Sequence, residues 1–274
     1  AGTEFAHMLA ASPAGSSVYA ATGSSASIAA GRLSYTLGLH GPCVSYDTAC
    51  SAALAATHAG LRALQFDECM VGLAVGTMLM LAPGIGMSFA VAGMTSARGR
   101  SHTFDARADG YARGEACGSV ALCHGDGVLG LLGSAGVDAD ALALGELHGT
   151  GTALGDPIEA GSLVAAVVSA REAPLAVGGV KANIGHAEPA AGMTGLLKLA
   201  LGLRVREAAP NAQLRLLNPH VGGTLRGVTG ALPVQFAAMA IGSGAVSSFG
   251  YSGTIAHAVL RHVGGTCCFG ALAA

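Results

Sequence analysis

The sequence predicts an α/β protein made of two copies of one layered unit of strands and helices. Short apolar runs typical of strands alternate with Gly- and Ala-rich helical runs, which favours a largely parallel sheet covered by helices. The pattern occurs twice, with Cys50 before the helix of the first copy and His186 before the helix of the second. We therefore expect two helix N-termini to meet at the centre of the fold. The 274 residues can bury a sizeable core.

The first copy begins with helical and turn-forming segments and then follows a strand, helix, strand order. Asp47 and Thr48 are N-cap candidates for its central helix. In chain order we predict a helix ending near Ala11, a turn over 12–17, a helix over 24–35, a strand over 43–46, a helix carrying Leu54, Leu61 and Leu64, and strands over 71–76 and 119–123.

The second copy repeats the order and ends in a hairpin. Pro157 suits the first turn of its first helix. We predict strands over 128–136 and 143–149, a helix over 156–169, a strand over 175–180, a helix over 193–203, and a hairpin of 246–248 with 255–260. The halves span about 1–127 and 128–263 of a single domain, 1–274, and 264–274 form a tail.

The connection between the first two strand runs of the second copy is short. With the second run taken as LALGELHG (142–149), only residues 137–141 join it to the run 128–136, whereas a parallel crossover generally needs a dozen or more residues. We expect one of three outcomes: the runs are not neighbouring strands, one run is displaced into a loop, or the sheet is incomplete there. We also expect the layer beside the Val128 strand to lack its covering helix.

The composition argues against nucleic acid as a partner and favours a second copy of this chain. Charged residues make up 11% of the chain and its mean hydropathy is +0.55, so little polar surface is available and a homodimer is expected. A net charge of -2 without a Lys/Arg cluster gives no footprint for nucleic acid. The uncharged run 69–97 could span a bilayer by length, but Pro83 and five glycines favour a buried strand followed by an active-site loop.

The seven cysteines are odd in number and irregularly spaced, which favours a reducing compartment over a disulfide framework. We expect a cytoplasmic protein, with an organelle such as a plastid as the alternative. Cys50 is the distinctive one, because it lies at a predicted helix N-terminus, where the helix dipole lowers a thiol pKa and creates a nucleophile. Taken alone, a small buried cysteine that packs as an apolar side chain is the commoner interpretation.

Four ordered motifs favour the nucleophile. DTACSAAL (47–54), HGTGTALGDPIEAG (148–161), VKANIGHAEPAAG (180–192) and VSSFGYSGTIAHAVL (246–260) together resemble the β-ketoacyl synthase family, most closely the ketosynthase domains of modular polyketide synthases. TFDARADGYARGEACG (103–118) and LNPH (217–220) add to the resemblance. It implies a thiolase-like α-β-α-β-α layered sandwich of two pseudo-symmetric halves, usually a homodimer, here incomplete at the N-terminus.

The resemblance also implies roles for particular residues. Cys50 would carry an acyl group, while His148 and His186 would bind the carbonyl of a malonyl thioester as carbon dioxide leaves. In this family Lys181 and Glu159 would form a buried ion pair supporting the histidines. Backbone N–H groups of Cys50 and Tyr251 would form the oxyanion hole, and Phe249, Gly250 and Tyr251 a gate.

Some positions depart from the family pattern. Tyr251 replaces a gating phenylalanine, Ser252 a glycine and Ile255 an asparagine, so the gate differs in sequence from the family pattern. His257 keeps the histidine of that motif, and we interpret it as a structural residue in a strand.

The predicted function is a decarboxylative Claisen condensation in polyketide or fatty acid synthesis. The acyl groups would arrive on the 4'-phosphopantetheine of an acyl carrier protein, beside other polyketide synthase domains, and no bound cofactor is expected. One alternative is a truncated, non-catalytic subunit with a structural or assembly role. Another is zinc bound by Cys50, His148 and His186, although no C-x-x-C or H-x-x-x-H pair supports it.

Overall fold

The structure is a computed structural model that describes residues 2–123, 130–132, 138–240 and 242–261. Helices and sheets alternate in layers, which confirms the predicted α/β class. The predicted tail, 264–274, lies outside the described residues.

The first half contains one two-stranded sheet and most of the early helices. Strands β1 and β2 pair antiparallel, from Val71 opposite Cys123 to Met78 opposite Ala116. In chain order the elements are α1 (Gly2–Ala10), α2 (Ala20–Ser24), α3 (Ala26–Leu37), α4 (Ala52–Gln65), β1 (Val71–Met78), α5 (Pro83–Val91) and β2 (Ala116–Cys123).

The second half contains the larger sheet. Its elements are β3 (Gly130–Leu132), β4 (Leu142–Glu146), α6 (Gly155–Ala166), β5 (Leu175–Gly178), α7 (Lys181–Ile184), α8 (Ala191–Val205), β6 (Glu207–Ala208), α9 (Pro219–Thr224), β7 (Gly230–Ala231), β8 (Ala237–Ala238), β9 (Ser243–Phe249) and β10 (Ile255–Arg261). The six-stranded sheet has the order β3-β10-β9-β4-β5-β7, and β6 pairs with β8.

Helices α4 and α8 lie between the two sheets and join the halves through one apolar core. Leu54 of α4 and Met193 of α8 belong to a cluster that reaches Ala74 of β1 and Val246 of β9. Gly192 permits the close approach, because a Cβ there would lie 2.6 Å from Leu54 Cγ. A second cluster packs α6 against the opposite face of the six-stranded sheet.

Most predicted elements are confirmed within one to four residues at their ends. Helix α3 begins after Ser25 as its N-cap, and α8 extends the helix predicted over 193–203 by two residues at each end. The closing hairpin forms as predicted, with β9 antiparallel to β10.

Three predictions about the first half are wrong. Residues 43–46 form no strand and are exposed, because no strand among the described residues pairs with them. Helix α4 begins at Ala52 with Ser51 at its N-cap, several residues later than Asp47 or Thr48. Strand β1 is only partly buried, with Val71 63% exposed, because its sheet has two strands.

The short connection has the first of the three expected outcomes. Strand β3 pairs with β10, and two strands, β10 and β9, separate it from β4. The two runs are therefore not neighbours. The absence of a covering helix beside β3 stays a prediction.

The uncharged run 69–97 does not form one long helix. It contains β1 and the nine-residue helix α5, which starts at Pro83. Within the described ranges, none of the helices has the length and apolar character needed to cross a membrane.

Candidate active site

Cys50 lies on a tight turn just before helix α4. Ala49 adopts a left-handed conformation with φ of 53°, which is uncommon for a residue with a Cβ and indicates a constrained turn. Ser248 of β9 donates its hydroxyl to the Cys50 carbonyl at 2.7 Å, and Ser51 donates to the Thr48 carbonyl at 2.8 Å. The turn is therefore fixed from both halves of the fold.

The environment of Cys50 corrects one expectation about its thiol. Burial raises the pKa of Cys50 above its ordinary value of 9.0, although Lys181 and the backbone N–H groups of Cys50 and Tyr251 lower it. The side chain is only 8% exposed, and α4 begins two residues later. Desolvation therefore outweighs the effects that lower the pKa, and the resting group is a neutral thiol.

His186 is the nearest polar neighbour of the thiol. Its Nε2 lies 3.1 Å from Cys50 Sγ, and its Nδ1 accepts the Glu188 backbone N–H at 3.2 Å. Burial and Lys181 hold the pKa of His186 well below 6.5, so the ring is neutral. Because Nδ1 accepts a hydrogen bond, the single ring proton lies on Nε2 and points at the sulfur.

His148 has the same kind of hydrogen bond at its Nδ1. Its Nδ1 accepts the Phe249 N–H at 3.3 Å, and burial, Lys181 and His186 hold its pKa well below 6.5. The His148 and His186 rings lie edge to face with centroids 5.5 Å apart. Each neutral ring therefore keeps its proton on Nε2, and the site has two N–H donors beside one thiol.

The side chains of Glu159 and Lys181 hold the loop that carries His148 by hydrogen bonds to its main chain. Glu159 accepts the N–H groups of His148 and Gly149 at 2.6 and 2.8 Å, and Lys181 Nζ donates to the His148 carbonyl. Lys181 and Glu159 both bind the main chain of this loop, and the charge of Lys181 lowers the pKa of Glu159. Their buried ion pair stays a prediction. Burial raises the pKa of Glu159 to about 7.

The predicted gate residues adjoin the thiol from the hairpin between β9 and β10. Gly250 is required there, because a Cβ would lie 2.4 Å from the Thr48 carbonyl oxygen. The Tyr251 side chain is 73% exposed, while its backbone N–H acts on Cys50. Phe249 packs against the His148 ring with centroids 5.4 Å apart.

His257 stands apart from these residues. Its Nδ1 lies 2.9 Å from Ser247 Oγ within the β9–β10 pair, which agrees with the structural interpretation.

Cys50, His148 and His186 could hold a metal by proximity, since their ligand atoms all lie within 4.8 Å of one another. The hydrogen bonds of the two rings argue against this. A metal at Nε2 requires the ring proton on Nδ1, where metal-binding histidines donate to an acceptor. Here Glu188 and Phe249 present N–H donors to Nδ1 instead. The residues do not fit zinc.

Sequence reasoning misses several residues that surround the site. Tyr111 packs edge-on against the His186 ring at 4.9 Å, and Arg113 binds Glu188. Asp156 accepts the N–H groups of Phe104 and Gly151 at 2.8 and 3.0 Å, which ties 103–118 to the His148 loop. The motifs at 103–118 and 148–161 are the signals that could have found them, since Tyr111 and Arg113 lie in the first and Asp156 lies in the second.

Two family models match the chain. The model for the N-terminal domain of β-ketoacyl synthases matches residues 1–126, and the model for the C-terminal domain matches residues 99–215.

Curated proteins and solved structures that are similar to this chain are polyketide synthases and their ketosynthase domains. One subunit of the phenolphthiocerol/phthiocerol polyketide synthase of Mycobacterium tuberculosis is 37% identical over 299 residues, covering 94% of this chain and 19% of that protein. Another subunit of the same synthase is 36% identical over 281 residues, covering 88% and 15%. The ketosynthase from module 6 of the Bacillus subtilis bacillaene synthase has a TM-score of 0.80 at 30% identity, covering 91% of this chain and 53% of that one. An oxazolomycin ketosynthase domain from Streptomyces albus has a TM-score of 0.81 at 30% identity, covering 89% and 50%. This chain therefore spans less than a fifth of the two synthase proteins and about half of the solved ketosynthases.

Proposed function

Because this chain belongs to the β-ketoacyl synthase family, as a ketosynthase domain of the polyketide synthase type with a thiolase-like fold, we propose that it catalyses a decarboxylative Claisen condensation. It would join a Cys50-bound acyl group to a malonyl-type thioester. The observation that carries the proposal is the pair of Nε2–H donors beside one buried thiol.

Acyl loading uses Cys50. Its sulfur attacks the carbonyl of an incoming acyl thioester, the bond from that carbonyl to the carrier sulfur breaks, and the thiol proton leaves with the carrier thiol. The His186 Nε2–H at 3.1 Å stabilises the sulfur as it gains negative charge. Lys181 acts in the same direction through its positive charge.

Decarboxylation uses the two histidines. When the malonyl group loses carbon dioxide, electrons from the broken bond move to the thioester oxygen and form an enolate. The Nε2–H groups of His148 and His186 would donate to that oxygen. Both donors are fixed by backbone hydrogen bonds before the reaction, so little reorganisation is needed as charge develops.

Condensation returns the sulfur to its starting state. The enolate carbon attacks the acyl carbonyl on Cys50, and the backbone N–H groups of Cys50 and Tyr251 would receive the resulting oxyanion. Both N–H groups lower the pKa of the Cys50 thiol, so each already favours negative charge at this position. The intermediate then expels the Cys50 thiolate and leaves a β-ketoacyl thioester on the carrier, and the thiolate takes up one proton from solvent to become the neutral thiol again.

The transferase class, substrates and partners belong to this proposal. Acyl and malonyl groups would arrive on the phosphopantetheine arm of an acyl carrier protein. Other polyketide synthase domains would be neighbours of this domain, which would form a homodimer. The setting would be cytoplasmic. The non-catalytic alternative is disfavoured, because a purely structural role has no need for a thiol and two oriented donors in contact.

The proposal is tested by separating loading from decarboxylation. Intact-protein mass spectrometry measures acylation by an acyl-pantetheine thioester, and labelled carbon dioxide measures decarboxylation of malonyl-pantetheine. C50A should not load. H148A should load like the wild type, and H186A should load more slowly because the Cys50 sulfur loses its nearest donor. Both should lose decarboxylation by about 10²-fold or more, the usual cost of one oxyanion donor.

The exposed Cys117 provides the matched control for the thiol. C117A should load and decarboxylate like the wild type. If the folded wild-type chain is not acylated, or is acylated at another cysteine, the proposal is wrong. Equal loss of loading and decarboxylation in a folded H148A variant would contradict the role of the histidines.

A further inference from the structure

The geometry points to Arg113 and Glu188 as a positioning pair. We propose that Arg113 holds Glu188 in a left-handed backbone conformation, from which the Glu188 N–H fixes the Nε2–H form of His186. The inference rests on the proposed function for its effect on catalysis, but the tautomer itself can be measured without any reaction.

Glu188 has a strained backbone. Its φ is 41°, in the left-handed region that residues with a Cβ rarely adopt. Pro189 follows, and a residue before proline is biased towards extended conformations. Released from its restraints, residue 188 would relax to an extended conformation. Its N–H would then turn away from His186 Nδ1, which it reaches at 3.2 Å.

Arg113 supplies the restraint. Its Nε donates to Glu188 Oε1 at 2.6 Å and its Nη2 donates to Oε2 at 3.3 Å, so the planar guanidinium holds the carboxylate at two points. The side chains of Arg113 and Glu188 are only 10% and 13% exposed. A largely buried charge pair of this geometry resists rotation more than an exposed one does.

Arg113 is itself fixed and cannot follow a movement of Glu188. Its guanidinium lies over the Phe89 ring of α5 and 3.7 Å from Glu4 of α1. Its chain neighbours Ala112 and Gly114 bond to the His186 backbone, at 2.6 and 2.9 Å. The segment 112–114 therefore holds the His186 backbone, while Arg113 holds the residue that orients the ring.

The test compares two substitutions at position 188. Glu188→Ala removes the carboxylate and keeps the strain. Glu188→Gly also removes the carboxylate, but glycine adopts positive φ without a steric cost. Arg113→Lys keeps the charge and loses the two-point geometry. Arg98→Lys is the matched control, since Arg98 forms an exposed ion pair with Asp109.

Two quantities are measured on variants that remain folded and have similar melting temperatures. One is the rate of malonyl decarboxylation, and the other is the nitrogen-15 chemical shifts of the His186 ring, which are assigned by their absence in His186→Gln. E188A should be slowed about tenfold, the order expected from the strain of one left-handed residue, and its ring should populate both tautomers. E188G should be several-fold faster than E188A and keep one tautomer. R113K should resemble E188A in both quantities, and it should slow decarboxylation less when it is introduced into E188G than into the wild type. R98K should resemble the wild type.

Equal rates and equal ring shifts in E188A and E188G would overturn the inference, since the carboxylate alone would then matter. Ring shifts that neither E188A nor R113K changes would also overturn it. If the wild type releases no carbon dioxide, the proposed function fails, and the ring shifts still decide the role of the pair.

Discussion

At the scale of single residues, the protonation states of the site follow from burial and from hydrogen bonds to the main chain. His148 and His186 are neutral because desolvation penalises their charged forms, and backbone N–H groups choose which nitrogen carries the proton. Cys50 is protonated at rest for the same reason. The site therefore provides two neutral donors and a thiol that becomes charged only as it reacts.

The first prediction concerns thiol reactivity. At pH 7 iodoacetamide should modify the exposed Cys43, Cys117 and Cys123 before Cys50, because burial raises the Cys50 pKa above 9.0. Alkylation of Cys50 should accelerate as the pH rises beyond 9. Peptide mass spectrometry over a pH series follows each cysteine. Rapid, selective labelling of Cys50 at pH 7 would show a lowered pKa and contradict this.

The second prediction concerns stability and pH. The pKa of His186 is well below 6.5 in the folded state, so below pH 6.5 the unfolded chain binds a proton that the folded chain does not. The free energy of unfolding should therefore fall with decreasing pH, by up to about 1.4 kcal/mol per pH unit for this residue.

His186→Gln removes that contribution and also relieves the effect of His186 on the pKa of His148, which changes the pH dependence in the same direction. Urea unfolding at pH 6.5 and 5.5 should show a smaller pH dependence for H186Q than for the wild type. Glu159, with its raised pKa of about 7, acts in the opposite direction in both proteins and cancels in the comparison. Equal pH dependence would mean that His186 titrates normally.

At the scale of elements, the site depends on how closely α4 and α8 approach. Cys50 precedes α4 and His186 precedes α8, so the distance between these helices sets the distance between thiol and imidazole. Glycine makes the contact possible at Gly192.

The third prediction tests this contact. Gly192→Ala places a Cβ 2.6 Å from Leu54 Cγ and should lower the free energy of unfolding by about 1–3 kcal/mol, the usual cost of overpacking. Gly223→Ala in α9 is the control, because its Cβ meets nothing within 4 Å. Chemical denaturation compares them. A neutral G192A would mean that α4 and α8 separate easily.

The elements also show what sequence reasoning can and cannot provide. The helices and the closing hairpin are predictable because their periodicity and turn residues are local signals. The strand at 43–46 is predicted from its apolar residues, but a strand forms only where a partner strand lies beside it. The Arg113–Glu188 pair joins positions 75 residues apart, and no local pattern encodes such a contact.

At the scale of the whole molecule, the two halves differ in the size of their sheets and in how much apolar surface those sheets expose. The second half has a six-stranded sheet, while the first has two strands with exposed apolar residues on β1. The order of the motifs is sufficient to predict that Cys50, His148 and His186 share one site. The long-range contacts that set the charge of that site cannot be predicted in the same way.

The fourth prediction is dimerisation. Val71, Leu73 and Met70 expose large apolar side chains at β1, and among the described strands only β2 pairs with it. We expect β1 to pair across a two-fold axis with its copy. Sedimentation at micromolar concentration should give a dimer, and Leu73→Lys should weaken it. A stable, non-aggregating wild-type monomer would count against this pairing.

If one thiol and two oriented histidine donors make a carbon–carbon bond, a single-turnover reaction should show it. The chain is first acylated at Cys50, freed of donor, and mixed with malonyl-pantetheine. The expected result is one β-ketoacyl-pantetheine and one carbon dioxide for each acyl group lost from Cys50. An acylated, folded chain that keeps its acyl group, or that releases carbon dioxide without forming the condensed product, would contradict the claim.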